Sequence, residues 1–450
     1  MAHVARRRAL RVRPAVAVAG GCLALAALSL LLSWRPTYDP WAWLVFGREV
    51  SDPHLGFSTL AHTGWKPLAV LFTAPFGLFG SAAPFLWMIV PRAAGLASLA
   101  LAYRLGSRSA GVVAGVVAAV ALALSADWLR YMAGANIEPI AVACLLGAIE
   151  LHLNGRRKWS FVLVTLVGLA RPEIWPVVGL YALYLWFSER SWWPLLVGIP
   201  VMLGLWILPD WAGSSELFHT FHSATISGEP TDILDSKFPA ATLFRRSLGI
   251  LVAPVWIAAL VGAVVAWRTR ERTAVAVLAV ALAWSVVTIG GEAIGYPAVP
   301  RYLVEPAALC CVLAGIGVAS LPRRAWVIGL LVLAFAPFVV ARSIGLGTQV
   351  SAANERARDL SALWHAADQV KGPIVHPMIA PQKQGTALVW KLHVKLNGVH
   401  ENPSRQVRIL FVKPGENPPG IEEMKRAGAS FTQIASSGDW RVWRVSWPPA

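Results

Sequence analysis

The sequence predicts an α-helical polytopic membrane protein of about 11 spans that ends in a small extracytoplasmic α/β domain, and three observations carry that reading. Of the 450 residues, 56% are hydrophobic and only 14% are charged, where a soluble domain carries about 25%. Apolar runs close to the roughly 20 residues that a helix needs to cross a bilayer core follow one another along most of the chain. Beyond residue 341 the pattern changes to short helical and alternating segments. An ordinary soluble protein is excluded. The four cysteines, Cys22, Cys144, Cys310 and Cys311, all lie inside apolar runs, which excludes a disulfide framework and a CxxC metal site.

Taken in order, Arg6, Arg7, Arg8, Arg11 and Arg13 precede an apolar stretch over 15–33. It is long for the core of a signal peptide and no small-x-small cleavage pattern closes it, so it reads as a retained first span. Further runs cover 84–105, 111–125, 139–153, 159–187, 192–208, 248–267, 273–289, 302–321 and 325–341. The run over 68–79 is short and holds Pro75, which favours a re-entrant or interfacial helix. The run over 159–187 is interrupted by Arg171-Pro172-Glu173 and reads as two short spans.

With those two choices the basic clusters Arg6 to Arg13, Arg104/Arg108, Arg156/Arg157/Lys158, Arg190, Arg268/Arg270/Arg272 and Arg323/Arg324 all fall on the cytoplasmic side. The N-terminus is then cytoplasmic and the protein is a multi-pass component of the cytoplasmic membrane. Residues 1–341 form the membrane domain, with a first outer loop over 34–83 and a long outer loop over 209–247; residues 342–450 form the extracytoplasmic domain. Most of the formal charge of +16 is a topology signal facing anionic headgroups, and no nucleic-acid partner is needed to explain it. Within the tail, 351–370 has helical spacing, 408–412 and 440–447 read as strands, and 418–428 reads as a short helix stopped by glycine.

Polar residues concentrate on the outer side, so any chemistry belongs there. In Arg35-Pro36-Thr37-Tyr38-Asp39-Pro40-Trp41-Ala42-Trp43, Asp39 lies just past the first span, where a base acting on a lipid-borne substrate would sit. The same residue can instead cap a short interfacial helix, with Pro40 at its first position and Trp41 and Trp43 as belt aromatics. In His62-Thr63-Gly64-Trp65-Lys66-Pro67-Leu68, Lys66 either meets a phosphate or snorkels to the interface. The second outer loop offers Asp127 and Glu138, the latter at a helix start that the macrodipole also favours. Arg171 and Glu173 between short spans face water, a ligand, or each other and neighbouring helices. Arg301 in Pro300-Arg301-Tyr302-Leu303-Val304-Glu305 presents a planar fork suited to phosphate, with Glu305 at i+4 as a structural alternative. Arg92, mid-span, reads as paired within the bundle. His219 and His222, three apart, make a weak metal pair.

In this order and on this one side, the features resemble the GT-C superfamily of integral membrane glycosyltransferases. They are a basic N-terminus, one span, a first-loop acid, a Lys-Pro-Leu leading into a short helix, a second-loop acid, an Arg-Pro-Glu between short spans and an Arg-Tyr-Leu before a late span. The layout is similar to bacterial enzymes akin to protein O-mannosyltransferases and lipid A aminoarabinose transferases, over roughly residues 18–341. It departs from many members in one place: Asp39 is single and Lys66 is followed by Pro67-Leu68, where they show adjacent acids or a doubled proline.

The resemblance implies transfer of a sugar, mannose or a pentose among the candidates, from a polyprenyl-phosphate donor to a glycan, lipid or protein hydroxyl, with inversion. It assigns Asp39 as catalytic base, Glu138 as second acid with Asp127 as fallback, and Arg301 as the arginine before the late span; the departing lipid phosphate is then met by Arg301, Lys66 or Arg171, or by a divalent metal (Mg or Mn) held by Asp39 and Glu138. Trp41, Trp43, Trp65, His62, Tyr302 and Glu173 are left as sugar or acceptor contacts. Asp39, Glu138 and Arg301 are expected to converge in one water-accessible crevice at the outer rim. A transporter would instead show inverted repeats and midplane charges; a non-catalytic envelope scaffold would keep the fold without the chemistry.

Overall fold

The computed structural model describes residues 2–52, 54–59, 64–223, 229–322, 325–370, 378–396, 399–400, 407–415 and 421–448. In chain order its helices begin with α1 (Ala2–Leu28), α2 (Tyr38–Ser51), α3 (Pro67–Gly77), α4 (Ala83–Ala123), α5 (Trp128–Ala133) and α6 (Glu138–Leu153). They continue with α7 (Arg157–Ala170), α8 (Trp175–Glu189), α9 (Ile199–Ser214), α10 (His219–Ser223), α11 (Glu229–Leu234) and α12 (Pro239–Ser247). The last are α13 (Ala253–Thr269), α14 (Arg272–Ala293), α15 (Val304–Ser320), α16 (Ala325–Asp368), α17 (Gln382–Lys391) and α18 (Ile421–Arg426).

Among the described residues five helical stretches are long and apolar enough to cross a membrane: Gly80–Ala123, Pro194–Ser214, Arg272–Ala293, Pro300–Ser320 and Gly329–Asp368. A sixth is added if Pro239–Ile250 and Ala253–Thr269, bent by 104°, count as one. The architecture is therefore that of a largely helical, multi-pass membrane protein. The count falls short of eleven because α6, α7 and α8 have only 16, 14 and 15 residues, below the roughly 17 that a straight crossing takes, because Ala15–Leu31 is one of the shorter apolar helices, and because the runs 84–105 and 111–125 lie in the single stretch Gly80–Ala123.

The chain forms two compact units. One comprises Met1–Leu32, Met88–Trp206 and His222–Val350; the other comprises Ser33–Trp87, Ile207–Phe221 and Ser351–Ala450. In the first unit, α4 is two arms. Ala110 and Gly111 leave helical geometry, Gly111 at φ +83°, a conformation that costs glycine nothing. The apolar runs 84–105 and 111–125 are those two arms. Helices α13 and α15 meet backbone to backbone: a Cβ at Gly262 would strike the Leu313 carbonyl, and one at Gly317 the Ala258 carbonyl. Close approach through small residues is how helices gain contact where no hydrophobic drive exists between them and lipid. Arg92 is buried as expected, its guanidinium donating to the Ser29 carbonyl and hydroxyl at 3.0 and 2.9 Å and to the Ala133 carbonyl at 3.3 Å.

In the second unit, α2 is buried on every face from Pro40 to Glu49. Thr73 of α3 donates to the Trp43 carbonyl at 2.8 Å. The C-terminal part carries a five-stranded mixed sheet in the order β2-β1-β3-β5-β4, with β1 Met378–Ile379, β2 Val399–His400, β3 Ile409–Val412, β4 Ser430–Ser437 and β5 Trp440–Ser446. β1 is parallel to β2 and β3, whereas β3, β5 and β4 are antiparallel. Val407, Leu410, Met424 and Val445 form its core, closed by α18. The expected strands at 408–412 and 440–447 are β3 and β5. β4 has no clear alternation in sequence because it is the edge strand and mostly exposed.

Candidate active site

In the first unit, chain breaks and helix starts deliver charged side chains to one buried point. Pro172 cannot continue α7, so the chain leaves the helix at Arg171, whose backbone is extended (φ −135°, ψ 92°). Its guanidinium is 1% exposed and sits inside a cage of carboxylates: Nε donates to Glu305 Oε1 at 2.8 Å, Nη2 to Glu138 Oε1 at 3.1 Å, and Glu173 Oε1 lies 4.0 Å from Nε. Glu138 is the first residue of α6 and Glu305 lies in the first turn of α15, both where a helix dipole favours an anion. Burial alone would lower the pKa of Arg171, but the surrounding Glu305, Glu138 and Glu173 hold it well above its usual value.

The cage joins the second-loop acid to the late arginine motif. Arg171 Nη2 also donates to the Arg301 carbonyl at 3.4 Å, and the guanidinium lies 4.8 Å from the Tyr302 ring centre. Arg301 itself is exposed, with its guanidinium 5.9 Å from the same ring. Glu305, the structural alternative for Arg301 at i+4, is engaged by Arg171. One oxygen each of Glu138, Glu173 and Glu305 (Oε2, Oε1 and Oε2) is buried with no hydrogen-bond partner among the described residues.

Two tyrosines join this region without any signal in the sequence. The Tyr296 hydroxyl donates to Glu173 Oε2 at 3.3 Å, and burial followed by the charge of Glu173 pushes its pKa well up. Tyr131 is buried and pushed up to about 12, first by desolvation and then by Glu138 and Asp127, against the opposing charges of Arg130 and Arg301. Asp127, the fallback acid, holds a left-handed backbone at φ +60° and pairs with Arg130 at 3.3 Å on a half-exposed surface.

In the second unit, Asp39 lies in the first turn of α2 and is half-buried. The N-cap position belongs to Thr37, not to Asp39, and Pro40 is the third helical residue. Lys66, also half-buried, is the N-cap of α3, and Trp65 N donates to Thr220 Oγ1 at 3.2 Å, which in turn donates to Asp210 Oδ1 at 3.0 Å.

Several expectations are corrected. Trp41, Trp43 and Trp65 are 2%, 2% and 3% exposed, so none offers a free face to a sugar. Trp41 stacks edge-on to Trp364 and lies against Trp390, Trp43 meets Trp87, and Trp65 meets Phe46 and Phe57. They are core residues: Trp41 and Trp43 lie on α2, which is buried on every face there, and Trp65 is packed between Phe46 and Phe57. Arg171, expected to reach a donor phosphate, is sealed among carboxylates. His219 lies 3.4 Å from Glu216 rather than forming a metal pair with His222. His62 lies outside the described residues.

Among the described residues no group of three or more His, Cys, Asp or Glu side chains is placed to hold a metal ion. At the cage the carboxylates do not fit a divalent ion, since a guanidinium already occupies their centre.

These elements define a multi-pass helical membrane architecture with a small C-terminal sheet. No family model matches the chain, and no curated protein matches its sequence. Among solved structures, ArnT from Cupriavidus metallidurans bound to undecaprenyl phosphate matches with a TM-score of 0.60 at 14% identity, over 95% of this chain and 97% of that one. ArnT in the apo state matches with 0.60 at 14%, over 98% of each chain. The archaeal oligosaccharyltransferase AglB from Archaeoglobus fulgidus, in complex with an inhibitory peptide and a dolichol-phosphate, matches with 0.47 at 12%, over 88% of this chain and 69% of its own. The likeness to ArnT shows a shared fold.

Proposed function

We propose that the protein is a membrane glycosyltransferase that moves a sugar from a polyprenyl-phosphate donor to an acceptor hydroxyl on the outer face of the cytoplasmic membrane. The observation that carries this reading is the buried cage of Glu138, Glu173 and Glu305 around Arg171. Ionisable groups buried in a membrane protein are expensive and mark function by default, and a buried ion pair adds little net stability. The three unpartnered carboxylate oxygens are acceptors for the hydroxyl groups of a sugar. The fold is shared with an ArnT structure that holds undecaprenyl phosphate, which supports a lipid-phosphate donor here.

In this reading Asp39 takes the proton of the acceptor hydroxyl. The acceptor oxygen bonds to the anomeric carbon as the bond from that carbon to the phosphate oxygen breaks, with inversion, and the lipid phosphate leaves with its electron pair. Arg301 and Lys66 offset the charge that develops on the phosphate. Arg171 is a positioning residue that fixes Glu138, Glu305 and the Arg301 segment. The topology proposed with this reading has 11 spans, the N-terminus inside, residues 1–341 in the membrane and residues 342–450 outside.

Asp39→Asn tests the base. In nanodiscs supplied with polyprenyl-phosphate sugars and acceptors, transfer falls by about 100-fold or more while the melting temperature stays put; unchanged turnover would remove Asp39 from the mechanism. Arg301→Glu weakens donor binding by about tenfold or more, and equal affinity would remove its phosphate role.

A further inference from the structure

The first unit contains a second feature, separate from the cage. A cavity of about 300 Å³ runs between the second arm of α4, the start of α13, the end of α15 and the apolar part of α16. Its walls include Val116, Val120, Val318, Leu331 and Phe335, and among the described residues Arg342 is the only charged one in its lining. The most apolar 18-residue stretch of α16 has no buried residue at all, whereas 78% of the corresponding stretch containing α15 is buried. α16 therefore stands off from its neighbours along the cavity, and a gap of this chemistry in a bilayer fills with hydrocarbon.

The lining on α16 runs from Leu331 to Arg342, 11 residues apart, or about 16 Å of helix. That is about half of the roughly 30 Å hydrocarbon core, the depth of one leaflet. The guanidinium closes one end, and its only hydrogen bond among the described residues is to the Gly249 carbonyl at 2.9 Å. Its remaining donors and its fixed charge suit a phosphate diester.

We propose that this cavity is the seat of one resident anionic phospholipid, with an acyl chain between α16 and the bundle and the headgroup phosphate on Arg342. The lipid is then a wall of the bundle, distinct from any donor bound for catalysis.

Native mass spectrometry of the detergent-purified full chain, titrated with phosphatidylglycerol or phosphatidylcholine, tests this. The expected result is one tight phosphatidylglycerol per chain, with at least tenfold preference over phosphatidylcholine. Arg342→Gln abolishes the preference, and Val120→Trp, which fills the cavity, abolishes tight binding of both lipids. Phosphatidylglycerol also raises the melting temperature of the unaltered protein but not of Val120→Trp, since a ligand bound only by the folded state stabilises it. Equal binding of the two lipids, unchanged preference in Arg342→Gln, or one-for-one displacement of phosphatidylglycerol by polyprenyl phosphate would each overturn the proposal, the last by assigning the cavity to the donor's tail.

Discussion

Arg48 and Arg171 are both buried arginines beside buried glutamates, one in each unit, and they are satisfied in opposite ways. Arg48 donates to the Trp390, Val389 and Val394 carbonyls at 3.1, 3.4 and 2.6 Å, at the end of α17 and just past it. Its neighbour Glu49 accepts from Ser58 N at 3.1 Å and Leu396 N at 2.8 Å, so both its oxygens are used. These charges spend themselves on backbone groups, including carbonyls at a helix C-terminus, where the dipole favours a cation. The Arg171 cage instead sets three carboxylates against one cation and leaves an oxygen of each without a hydrogen-bond partner among the described residues. Around Arg48 the terminal guanidinium nitrogens and both Glu49 oxygens meet backbone groups, whereas in the cage the cation meets side-chain carboxylates.

The sharpest way to break this contrast is Arg171→Leu. It leaves three carboxylates around an empty centre and costs about 3–5 kcal/mol, read as a collapse of the melting temperature in detergent. Adding Glu305→Leu and Glu138→Gln to it restores much of that stability but no transfer; restored transfer would make the cage purely structural. Arg48→Met costs less, about 2–3 kcal/mol, because the stranded partners are neutral carbonyls. It is expected to loosen the segment around Trp390, seen as faster proteolysis there.

A smaller effect separates the two sites by pH. Burial raises the pKa of Glu49 above the usual 4.5, against the opposing pull of its two backbone hydrogen bonds and Arg48. The folded state thus binds that proton more tightly than the unfolded chain. Its contribution is complete below the unfolded value and is lost as pH rises through the folded one. Glu49→Gln flattens that slope in melting curves taken at rising pH. The smallest effect is spectroscopic: Tyr131→Phe deletes a phenol that ionises near about 12 from the alkaline absorbance titration.

Local punctuation in the fold was legible in the sequence. The gap between runs 84–105 and 111–125 is the break at Gly111, Arg171-Pro172-Glu173 does split a long run, and the short helix with Pro75 is α3. These are properties of glycine and proline acting on their own neighbourhood. What was illegible depends on distant partners. Trp41 and Trp43 beside a span look like interfacial aromatics until Trp364, Trp390 and Trp87 are seen around them. Arg48 finds its carbonyls more than 340 positions away, and neither periodicity nor charge pattern announces that. The sequence offers Glu305 only its helical neighbour Arg301, while Arg171, which donates to it, lies 134 residues earlier.

The glycine seam of α15 reaches further than packing. Glu305 opens that helix, and Gly317, about 18 Å along the same axis, lies flush against the Ala258 carbonyl. The azimuth of the whole rod is set there, and with it the direction in which the carboxylate points. One methyl group added at residue 317 would have to turn or lift the rod to be seated, swinging the far end away from Arg171. The ion pair at one end is thus aligned by the absence of a side chain at the other.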